Sequence, residues 1–298
     1  MSSTPHSART FHHARFPADR LRVERVETVS VCVPARDEAA TIAGIVAPLM
    51  ALREAGVVDQ VVVLDDDSRD ATGVIAARLG AEVVRPAALL PEFGPVLGKG
   101  DAMWRALTVL TGDLVCFVDA DSEDFGAHFA TGLLGPLICA PRLQFVKGFY
   151  RRPFKLGPAR VEPTGGGRVT ELTARPLLAA FYPQLASIRQ PLAGEFAARR
   201  ELLERTAFCT GYGVEIGLLL DVYAKIGIGA IAQVDLDSRQ NRHRPLEELA
   251  PMAAAVLAAV SMRLRHEGRL AGDLGPIGAD VPERPPLAGL RTIGREAA

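Results

Sequence analysis

Two aspartates, Asp119 and Asp121, follow a hydrophobic run at residues 114–118 and stand two positions apart. An apolar run of this length predicts a buried strand, and open α/β sheets bind ligands where such strands end. Two carboxylates this close repel each other, so a divalent cation that takes oxygen ligands and also binds phosphate would keep both ionised. The same spacing suits an Asx turn or a helix cap, and the pair alone leaves both interpretations open.

The elements around this pair alternate between strand-like and helix-like stretches. Strands are predicted at residues 28–33, 61–64, 82–85 and 114–118, and helices at residues 39–55, 70–79 and 101–110. The alternation predicts an α/β fold with a mostly parallel sheet, right-handed crossovers and flanking helices. Acidic or polar residues follow three of the strands, so we expect them to meet at one rim of the sheet.

Composition argues against several classes of partner and compartment. The 298 residues carry a formal net charge of −1, which indicates neither nucleic acid nor an anionic membrane as a partner. No apolar run approaches the ~20 residues of a membrane span, and the basic N-terminus lacks the apolar core of a secretory signal. The 4 cysteines are scattered without a C-x-x-C spacing, which argues against disulfides and zinc and favours a reducing cytoplasm.

Two glycine-rich segments resemble nucleotide-binding motifs. Residues 94–100 resemble a P-loop, but Gly100 stands where the motif needs Ser or Thr, and no strand immediately precedes the segment. Residues 211–217 resemble a dinucleotide fingerprint with one residue too many and no clear strand before it. Both motifs are rejected.

Several motifs in order carry a resemblance to a known family. In the first half they are PARDE at 34–38, LDDDSRD at 64–70, GKG at 98–100 and DAD at 119–121. In the second half they are VKGFYRRP at 146–153, TGGGRVTEL at 164–172, QPLAGE at 190–195 and GYGVEIG at 211–217. Together, from about residue 29 to about residue 249, they resemble the glucosyl-3-phosphoglycerate synthases and the related mannosyl-3-phosphoglycerate synthases.

The resemblance implies a Rossmann-like fold of the GT-A glycosyltransferase type. It implies transfer of a hexose from a nucleoside-diphosphate sugar to 3-phosphoglycerate, with Mg²⁺ or Mn²⁺ as cofactor. UDP-glucose is the expected donor and GDP-mannose the alternative. A homodimer is also expected.

The chain is expected to form one catalytic unit. Residues 26–160 would bind the nucleotide sugar, and residues 161–268 would form the acceptor-binding half with the C-terminal helices. Residues 1–25 are expected to be disordered, and residues 269–298 to form a mobile Pro- and Gly-rich tail. Residues 252–264 predict a helix that suits an outer face and a dimer contact equally well.

Donor-binding residues are those that match the family motifs of the first half. The expected set is Pro34, Ala35, Asp37, Glu38, Asp66, Asp67, Lys99, Asp119 and Ala120. Lys99 would reach the diphosphate, and Asp121 would hold the metal, with Asp119 assisting directly or through water. A helix cap, an Asx turn and a solvated surface lysine are the alternative interpretations.

The three glycines at 165–167 and the residues after them are the acceptor candidates. Glycines leave backbone N–H groups accessible, and a helix predicted to begin near Val169 would favour an anion at its N-terminus. Arg168 adds a guanidinium group that can donate two parallel hydrogen bonds, and Thr170 adds a hydroxyl. Both groups suit an acceptor that carries a phosphate and a nearby carboxylate. Gly166, Gly167, Arg168 and Thr170 are therefore the predicted acceptor site; a flexible turn with a surface arginine is the alternative.

The resemblance implies a mechanism with retention at the anomeric carbon. No carboxylate is clearly placed as a nucleophile, and the backbone carbonyl of Leu192 would lie near the anomeric carbon. Glu215 would bind hydroxyls of the sugar and acceptor. Front-face substitution is therefore favoured, in which the departing diphosphate takes the acceptor proton.

One segment departs from the family pattern. At residues 239–246 the family carries a histidine where this chain has Asn241, and an asparagine where it has His243. The family histidine completes the metal site. In an extended segment the two positions face the same side, so His243 is expected to take the metal role while both residues adjoin the acceptor. A purely structural His243 is the open alternative.

Two other functions share some of these features. A sugar-phosphate nucleotidyltransferase would need a Gly-rich, Arg-containing loop directly after the first strand, which residues 34–36 lack. A noncatalytic binding protein would not need the Asp pair, Lys99 and the GGGR segment together.

Overall fold

The computed structural model describes residues 7–155, 161–162, 166–240, 245–272 and 281–290. Its strands are β1 Arg9–His12, β2 Val29–Ala35, β3 Gln60–Asp65, β4 Glu82–Val84, β5 Leu114–Phe117, β6 Phe145–Arg151, β7 Phe154–Lys155, β8 Val161–Glu162, β9 Phe196–Arg199, β10 Phe208–Cys209, β11 Ile231–Ser238 and β12 Glu283–Arg284. Its α-helices are α1 Ala18–Glu24, α2 Ile42–Glu54, α3 Thr72–Arg78, α4 Lys99–Ala106, α5 Ala127–Cys139, α6 Arg175–Phe181, α7 Arg200–Glu204, α8 Val214–Ile226 and α9 Leu246–His266.

The main sheet joins eight of these strands in the order β1-β11-β6-β9-β5-β2-β3-β4. Neighbouring strands run parallel except where β9 pairs with β5 and β6. The predicted α/β fold with a mostly parallel sheet flanked by helices is therefore confirmed. Because only β9 is reversed, its start meets the carboxyl ends of β2, β3, β5, β6 and β11 at one rim.

The strands alternate between two hydrophobic cores, one on each face of the sheet. In β3, Val61 and Val63 join the core that contains α2 and α5. Val62 and Leu64 join the core that contains α4, α8 and α9. Burial on both faces is what the interior strands of a parallel sheet require, and it explains why their sequences are almost continuously apolar.

The start of the chain differs from the expected disordered segment at residues 1–25. β1 extends the sheet by pairing with β11, and α1 buries Leu21 completely. The prediction does not hold for residues 9–24, because a short strand with little periodicity is identified only by its distant partner strand. Residues 1–6 lie outside the described residues.

Part of the expected mobile tail at 269–298 also belongs to the fold. β12 pairs with β10, and Arg284 donates to both carboxylate oxygens of buried Asp101, at 2.8 and 2.7 Å. The Trp104 indole N–H donates to the Pro285 carbonyl at 2.7 Å. These contacts attach residues 281–290 to α4, while residues 273–280 and 291–298 lie outside the described residues.

Helix α9 covers the helix predicted at residues 252–264 and extends it in both directions. It forms part of the cavity wall described below, through Leu249, Met252 and Val256, which the sequence did not indicate, and the outer-face and dimer-contact alternatives both stay open. Its second half supplies most of its buried hydrophobic positions, among which Ala259 and Val260 are fully buried.

Two features bear on the expectations about disulfides and membrane spans: the state of the cysteines and the character of the helices. Cysteines 32, 116, 139 and 209 are all free, and all but Cys139 are buried. Among the described helices, none combines the length and the apolar character needed to cross a bilayer.

Candidate active site

A cavity of about 580 Å³ opens at the rim where the strands of the main sheet end. Most of the residues predicted from the sequence line it: Pro34, Ala35, Glu38, Asp66, Lys99, Asp119, Ala120, Asp121, Gly166, Gly167, Arg168, Thr170, Leu192 and Glu215. The structure therefore brings the candidate donor, acceptor and catalytic residues into one space.

Two predicted donor residues, Asp37 and Asp67, do not line this cavity. Both have positive φ angles, of 55° and 58°. The backbone N–H of Asp37 donates to Ser68 Oγ at 3.0 Å, and its carboxylate accepts from the Arg69 N–H at 2.7 Å. Asp37 therefore joins the loops after β2 and β3, and it shapes the donor wall without facing the cavity.

The ends of β2 and β3 form one wall of the cavity. The Asp66 N–H donates to the Ala35 carbonyl at 3.0 Å, which continues the pairing of the two strands. Burial raises the pKa of Asp66, and Arg36, at 3.6 Å, opposes this rise. The Glu38 N–H donates to Thr72 Oγ1 at 2.8 Å. Hydrogen bonds between short loops therefore hold the polar groups of this wall in place.

Asp119 and Asp121 follow β5 and contact two cationic side chains. Lys99 Nζ lies 2.6 Å from Asp119 Oδ1, and Arg239 Nη1 lies 3.1 Å from Asp119 Oδ2. Arg239 also forms an ion pair with Asp121 through Nη2 and Oδ1. Protein cations thus compensate the repulsion between the two carboxylates, which the sequence alone suggested a metal would do.

Charge neighbours fix the ionisation of Asp119 and Lys99. Burial alone would raise the pKa of Asp119, but Lys99 and Arg239 outweigh burial and hold that pKa well below its usual range. Burial also disfavours the charged form of Lys99, yet Asp119 and Glu215 raise the Lys99 pKa above its ordinary value. Glu215 Oε1 lies 2.9 Å from Lys99 Nζ. Asp119 and Lys99 are therefore both charged at neutral pH.

Two glycines make this close packing possible. A Cβ atom at Gly194 would lie 2.2 Å from Asp119 Oδ1, so any other residue would displace the carboxylate. A Cβ atom at Gly100 would lie 1.9 Å from the Cys209 carbonyl oxygen. Gly100 follows Lys99 in the first turn of α4, and its missing side chain lets this helix end approach β10.

Arg239 is a residue of this site that sequence reasoning missed. Its side chain is 1% exposed and lies 2.8 Å from Glu195 Oε1, and it donates to the Tyr150 hydroxyl at 2.7 Å. Burial raises the pKa of Glu195, and it raises the pKa of Tyr150 to about 12. Arg239 directly follows the buried strand β11 at the same rim, which is the signal that could have identified it.

The predicted acceptor residues lie on a turn that leads into a π-helical segment, Thr170–Ala174. The Gly166 N–H donates to the Arg152 carbonyl at 3.2 Å, and Gly167 has a φ of 74°. The helix predicted near Val169 is therefore present, but it begins with the wider π-helical winding. Such distortions are frequent at functional sites.

Leu192 lines the cavity on the turn that precedes β9. Lys147 Nζ donates to the Ala193 carbonyl at 2.5 Å and thereby fixes this turn. Lys147 is 1% exposed, and burial lowers its pKa to about 8.

The cavity offers oxygen ligands that fit a hard divalent cation. The Asp121 side chain is 40% exposed, whereas both oxygens of Asp119 accept hydrogen bonds from protein cations. Asp121 is therefore the more accessible of the two carboxylates for a metal, and assistance by Asp119, directly or through water, stays a prediction. Over the described ranges, no group of three ligand side chains forms at the cavity, and phosphate oxygens of a bound donor could contribute to the shell. Asn241 and His243 lie outside the described residues.

Comparison with known proteins places the chain in a family. Residues 30–131 match the model for Glycosyl transferase family 2. A glucosyl-3-phosphoglycerate synthase from Mycolicibacterium smegmatis is 48% identical over 246 residues, covering 83% of this chain and 80% of that protein. The chain belongs to the glucosyl-3-phosphoglycerate synthase family. A family member from Petrotoga mobilis is 41% identical over 268 residues, covering 88% of this chain and 82% of that protein.

Solved structures of the family and its relatives share this fold. The mannosyl-3-phosphoglycerate synthase of Rubrobacter xylanophilus has a TM-score of 0.86 and 44% identity, covering 95% of this chain and 96% of that one. The glucosyl-3-phosphoglycerate synthase of Mycobacterium tuberculosis, in complex with Mn²⁺, UDP and glucosyl-3-phosphoglycerate, has a TM-score of 0.83 and 40% identity, covering 95% and 100%. The predicted family and the GT-A type of fold are confirmed. The roles of individual residues stay predictions.

Proposed function

We propose that this protein is a glucosyl-3-phosphoglycerate synthase, a metal-dependent retaining enzyme that transfers glucose from UDP-glucose to 3-phosphoglycerate. One observation carries the proposal: in a member of this family, a single cavity is lined by the Asp119 and Asp121 pair, Lys99 and Arg168. A diphosphate donor and an anionic acceptor both require cationic partners, and this cavity supplies them.

The nucleotide is proposed to lie along the ends of β2 and β3. Pro34, Ala35 and Asp66 would contact the base and ribose, because open α/β sheets bind nucleotides at this edge. Lys99 would bind the diphosphate, since its ammonium group lies in the cavity lining between two carboxylates. The phosphate oxygens would then share the ammonium with Asp119 and Glu215.

A divalent ion is proposed beside Asp121. The M. tuberculosis enzyme has been solved with Mn²⁺ and UDP and with Mg²⁺ and UDP. When bound here, such an ion would supply positive charge to the departing diphosphate. Asp121 would hold it with one carboxylate oxygen, and His243 stays the predicted additional ligand, with Asn241 close to the acceptor.

The acceptor is proposed to bind through its anionic groups at Gly166, Gly167, Arg168 and Thr170. Arg152 lines the same cavity, and its buried Nε–H has no hydrogen-bond partner among the described protein groups. A buried donor left without a partner costs about 1 to 3 kcal/mol, which an anionic ligand or water would recover. We therefore add Arg152 to the predicted acceptor wall.

Retention is proposed to follow from front-face substitution. Glu215 already accepts a hydrogen bond from Lys99 at 2.9 Å, which suits a group that binds hydroxyls better than it suits a nucleophile. The Leu192 carbonyl would face the anomeric carbon as positive charge develops there. The departing diphosphate would take the proton of the acceptor hydroxyl as the new glycosidic bond forms.

Mannosyl transfer from GDP-mannose is the second candidate. It is favoured by the likeness to the mannosyl-3-phosphoglycerate synthase of R. xylanophilus. Glucose and mannose differ only in the orientation of the 2-hydroxyl, and one or two polar contacts decide such a preference.

A panel of donors tests the proposal. UDP-glucose, GDP-glucose and GDP-mannose are each incubated with 3-phosphoglycerate and Mg²⁺ or Mn²⁺, and products are identified by mass and by released nucleoside diphosphate. We expect the highest kcat/KM with UDP-glucose, and an α-linked product by NMR. Transfer from GDP-mannose alone would establish the mannosyl function. In a separate incubation with a sugar phosphate and a nucleoside triphosphate, release of pyrophosphate would indicate a nucleotidyltransferase.

We also infer a reducing, cytoplasmic location, which free and mostly buried cysteines suit. The homodimer expected from the sequence stays a prediction. Sedimentation velocity tests it, because a dimer would have twice the 31.8 kDa mass of one chain.

A further inference from the structure

A second cluster of ligand-type side chains lies at the edge of the main sheet. His12 Nε2 lies 3.2 Å from Asp237 Oδ1, and His13 Nε2 lies 2.6 Å from Asp237 Oδ2. One ligand atom from each of the three residues falls within 4.8 Å of the others. None of the three lines the cavity at the end of β2 and β3.

The fold holds these side chains together across a long sequence separation. β1 pairs in parallel with β11, and His12 stands opposite Asp235 in the register. The pairing of β11 with β6 then shifts between Asp235 and Ser238, and Asp237 adopts a φ of 68°. This irregularity coincides with the point where the Asp237 carboxylate meets both histidines.

The chemistry of the cluster differs from that of the active-site carboxylates. Two imidazoles with one carboxylate suit Zn²⁺, Co²⁺ or Ni²⁺, whereas Mg²⁺ prefers oxygen ligands alone. With metal–ligand distances of about 2.1 Å, ligand atoms in a tetrahedral site stand about 3.4 Å apart, so the 3.2 Å contact of His12 with Asp237 needs little change and the 2.6 Å contact of His13 has to lengthen. The His12 and Asp237 side chains are 48% and 47% exposed, so an ion and a completing water can reach them.

We propose that His12, His13 and Asp237 form a second metal site, for a zinc-like divalent ion, with water in the remaining position. Binding through His12 Nε2 places that ring's proton on Nδ1, so the contact of Nδ1 with the Ala14 N–H, at 3.2 Å, is given up. The ion replaces the two histidine–aspartate hydrogen bonds with coordinate bonds.

Such an ion fastens the start of the chain to the end of β11. Asp237 stands two positions before Arg239, which pairs with both active-site aspartates. The His13 ring also lies beside the His128 ring, with centroids 4.5 Å apart and the planes tilted by 47°, and burial lowers the pKa of His128. The site is therefore structural in character, and it does not depend on the proposed transferase function.

Cobalt titration of untagged, metal-stripped protein tests the site. We expect one equivalent of Co²⁺ with the visible absorption of a low-coordinate nitrogen and oxygen site, in wild type and in Asp121→Ala alike. His13→Ala and Asp237→Asn should each weaken this binding by about tenfold or more, since each removes a ligand. His266→Ala, which removes an exposed histidine of α9, should leave it unchanged.

Thermal unfolding with Zn²⁺ provides the second measurement. Zn²⁺ should raise the Tm of wild type and of His266→Ala, and should raise it less in His12→Gln, a substitution that keeps a polar side chain. Binding of Co²⁺ that is unchanged in His13→Ala and Asp237→Asn would overturn the proposal. Absence of Co²⁺ binding in wild type would also overturn it, leaving a hydrogen-bonded cluster only.

Discussion

The donor wall and the acceptor wall of the cavity are built differently. The donor wall consists of strand ends, and its central carboxylate, Asp119, is tied to Lys99 and Arg239 by short ion pairs. The acceptor wall consists of a glycine-containing turn, the π-helical segment Thr170–Ala174 and the side chains of α9. The strands and the buried ion pairs hold the donor wall in place. Local backbone geometry shapes the acceptor wall.

This difference suggests that the two walls have different functions, one in holding the diphosphate and one in binding the acceptor. A diphosphate needs positive charge at a set position, and regular strands place charged groups most reliably. An acceptor must be admitted and released beside a bound donor, and the predicted acceptor residues lie on a turn and a π-helical segment instead of on strand ends. Substitutions of the buried, ion-paired groups of the donor wall should therefore affect stability and rate together, whereas substitutions in the acceptor wall should mainly affect acceptor binding.

The largest effect is expected for Arg239→Ala. This change leaves the buried carboxylates of Asp119 and Glu195 without their shared cation, which costs about 3 to 5 kcal/mol in the free energy of unfolding. Urea unfolding measures the loss, and Arg168→Ala serves as the control, with an expected loss below about 1 kcal/mol. Equal losses in the free energy of unfolding of Arg239→Ala and Arg168→Ala would contradict the proposed difference between the donor and acceptor walls.

Asp121→Ala should lower the rate at least ~10²-fold, because the diphosphate leaving group loses its charge stabilisation. The Tm should change little, since Asp121 is 40% exposed. Asp119→Asn is the matched variant, and it should lower both the rate and the Tm. Full activity of wild type in excess chelator would contradict the metal assignment.

The buried Lys147 gives a pH-dependent difference in stability. Its pKa is about 8 in the folded protein and 10.5 in the unfolded chain. Between these values the unfolded chain binds more protons, so wild type gains stability over Lys147→Met as pH rises from 8 to 10.5, by on the order of 2 to 3 kcal/mol. Unfolding curves of both proteins across this window check the sign. A difference that stays constant across this window would mean that the folded and unfolded states bind the Lys147 proton equally, and would contradict the lowered pKa.

Arg168→Ala should raise the KM for 3-phosphoglycerate about tenfold or more, since a hydrogen bond to a charged group contributes ~1.5 to 3 kcal/mol. The KM for UDP-glucose should stay close to the wild-type value. Initial rates with each substrate varied separately provide the measurement. A similar rise in both KM values would move Arg168 out of the acceptor wall.

The exchanged pair at positions 241 and 243 should give the smallest effect. If His243 holds the metal, His243→Ala should raise the metal concentration needed for half-maximal rate by several-fold, with Asn241→Ala changing it less. Metal titrations of initial rate rank the two. The reverse ranking would assign the ligand to Asn241, and no change in either would leave Asp121, diphosphate and water as the ligands.

The sequence could predict site residues that a local pattern marks, but it could not predict residues that join the site through long-range contacts. Asp119 and Asp121 follow a buried apolar run. A few consecutive residues therefore sufficed to predict the strand, the position of the pair at the rim of the sheet and its role in binding. Arg239 pairs with Asp119 across 120 positions, and no local pattern encodes that contact. Arg239 was therefore missed although it lies at the same rim.

Irregular elements escaped prediction for the same reason. β1 has little periodicity and is defined by β11, more than 200 positions away, and Arg284 of β12 pairs with Asp101 across 183 positions. Asp37 was expected to face the nucleotide, but its carboxylate bonds the Arg69 N–H of the neighbouring loop. Loop hydrogen bonds of this kind depend on tertiary geometry, which sequence spacing does not contain.

A crystal structure with UDP, Mn²⁺ and 3-phosphoglycerate tests most directly whether the two walls serve two substrates. We predict Mn²⁺ on Asp121 and the diphosphate, with Asp119 still bonded to Lys99 and Arg239, and the acceptor phosphate at Arg168. Mn²⁺ coordinated by Asp119 after release of Arg239, or 3-phosphoglycerate bound away from Arg168 and the neighbouring glycines, would contradict it.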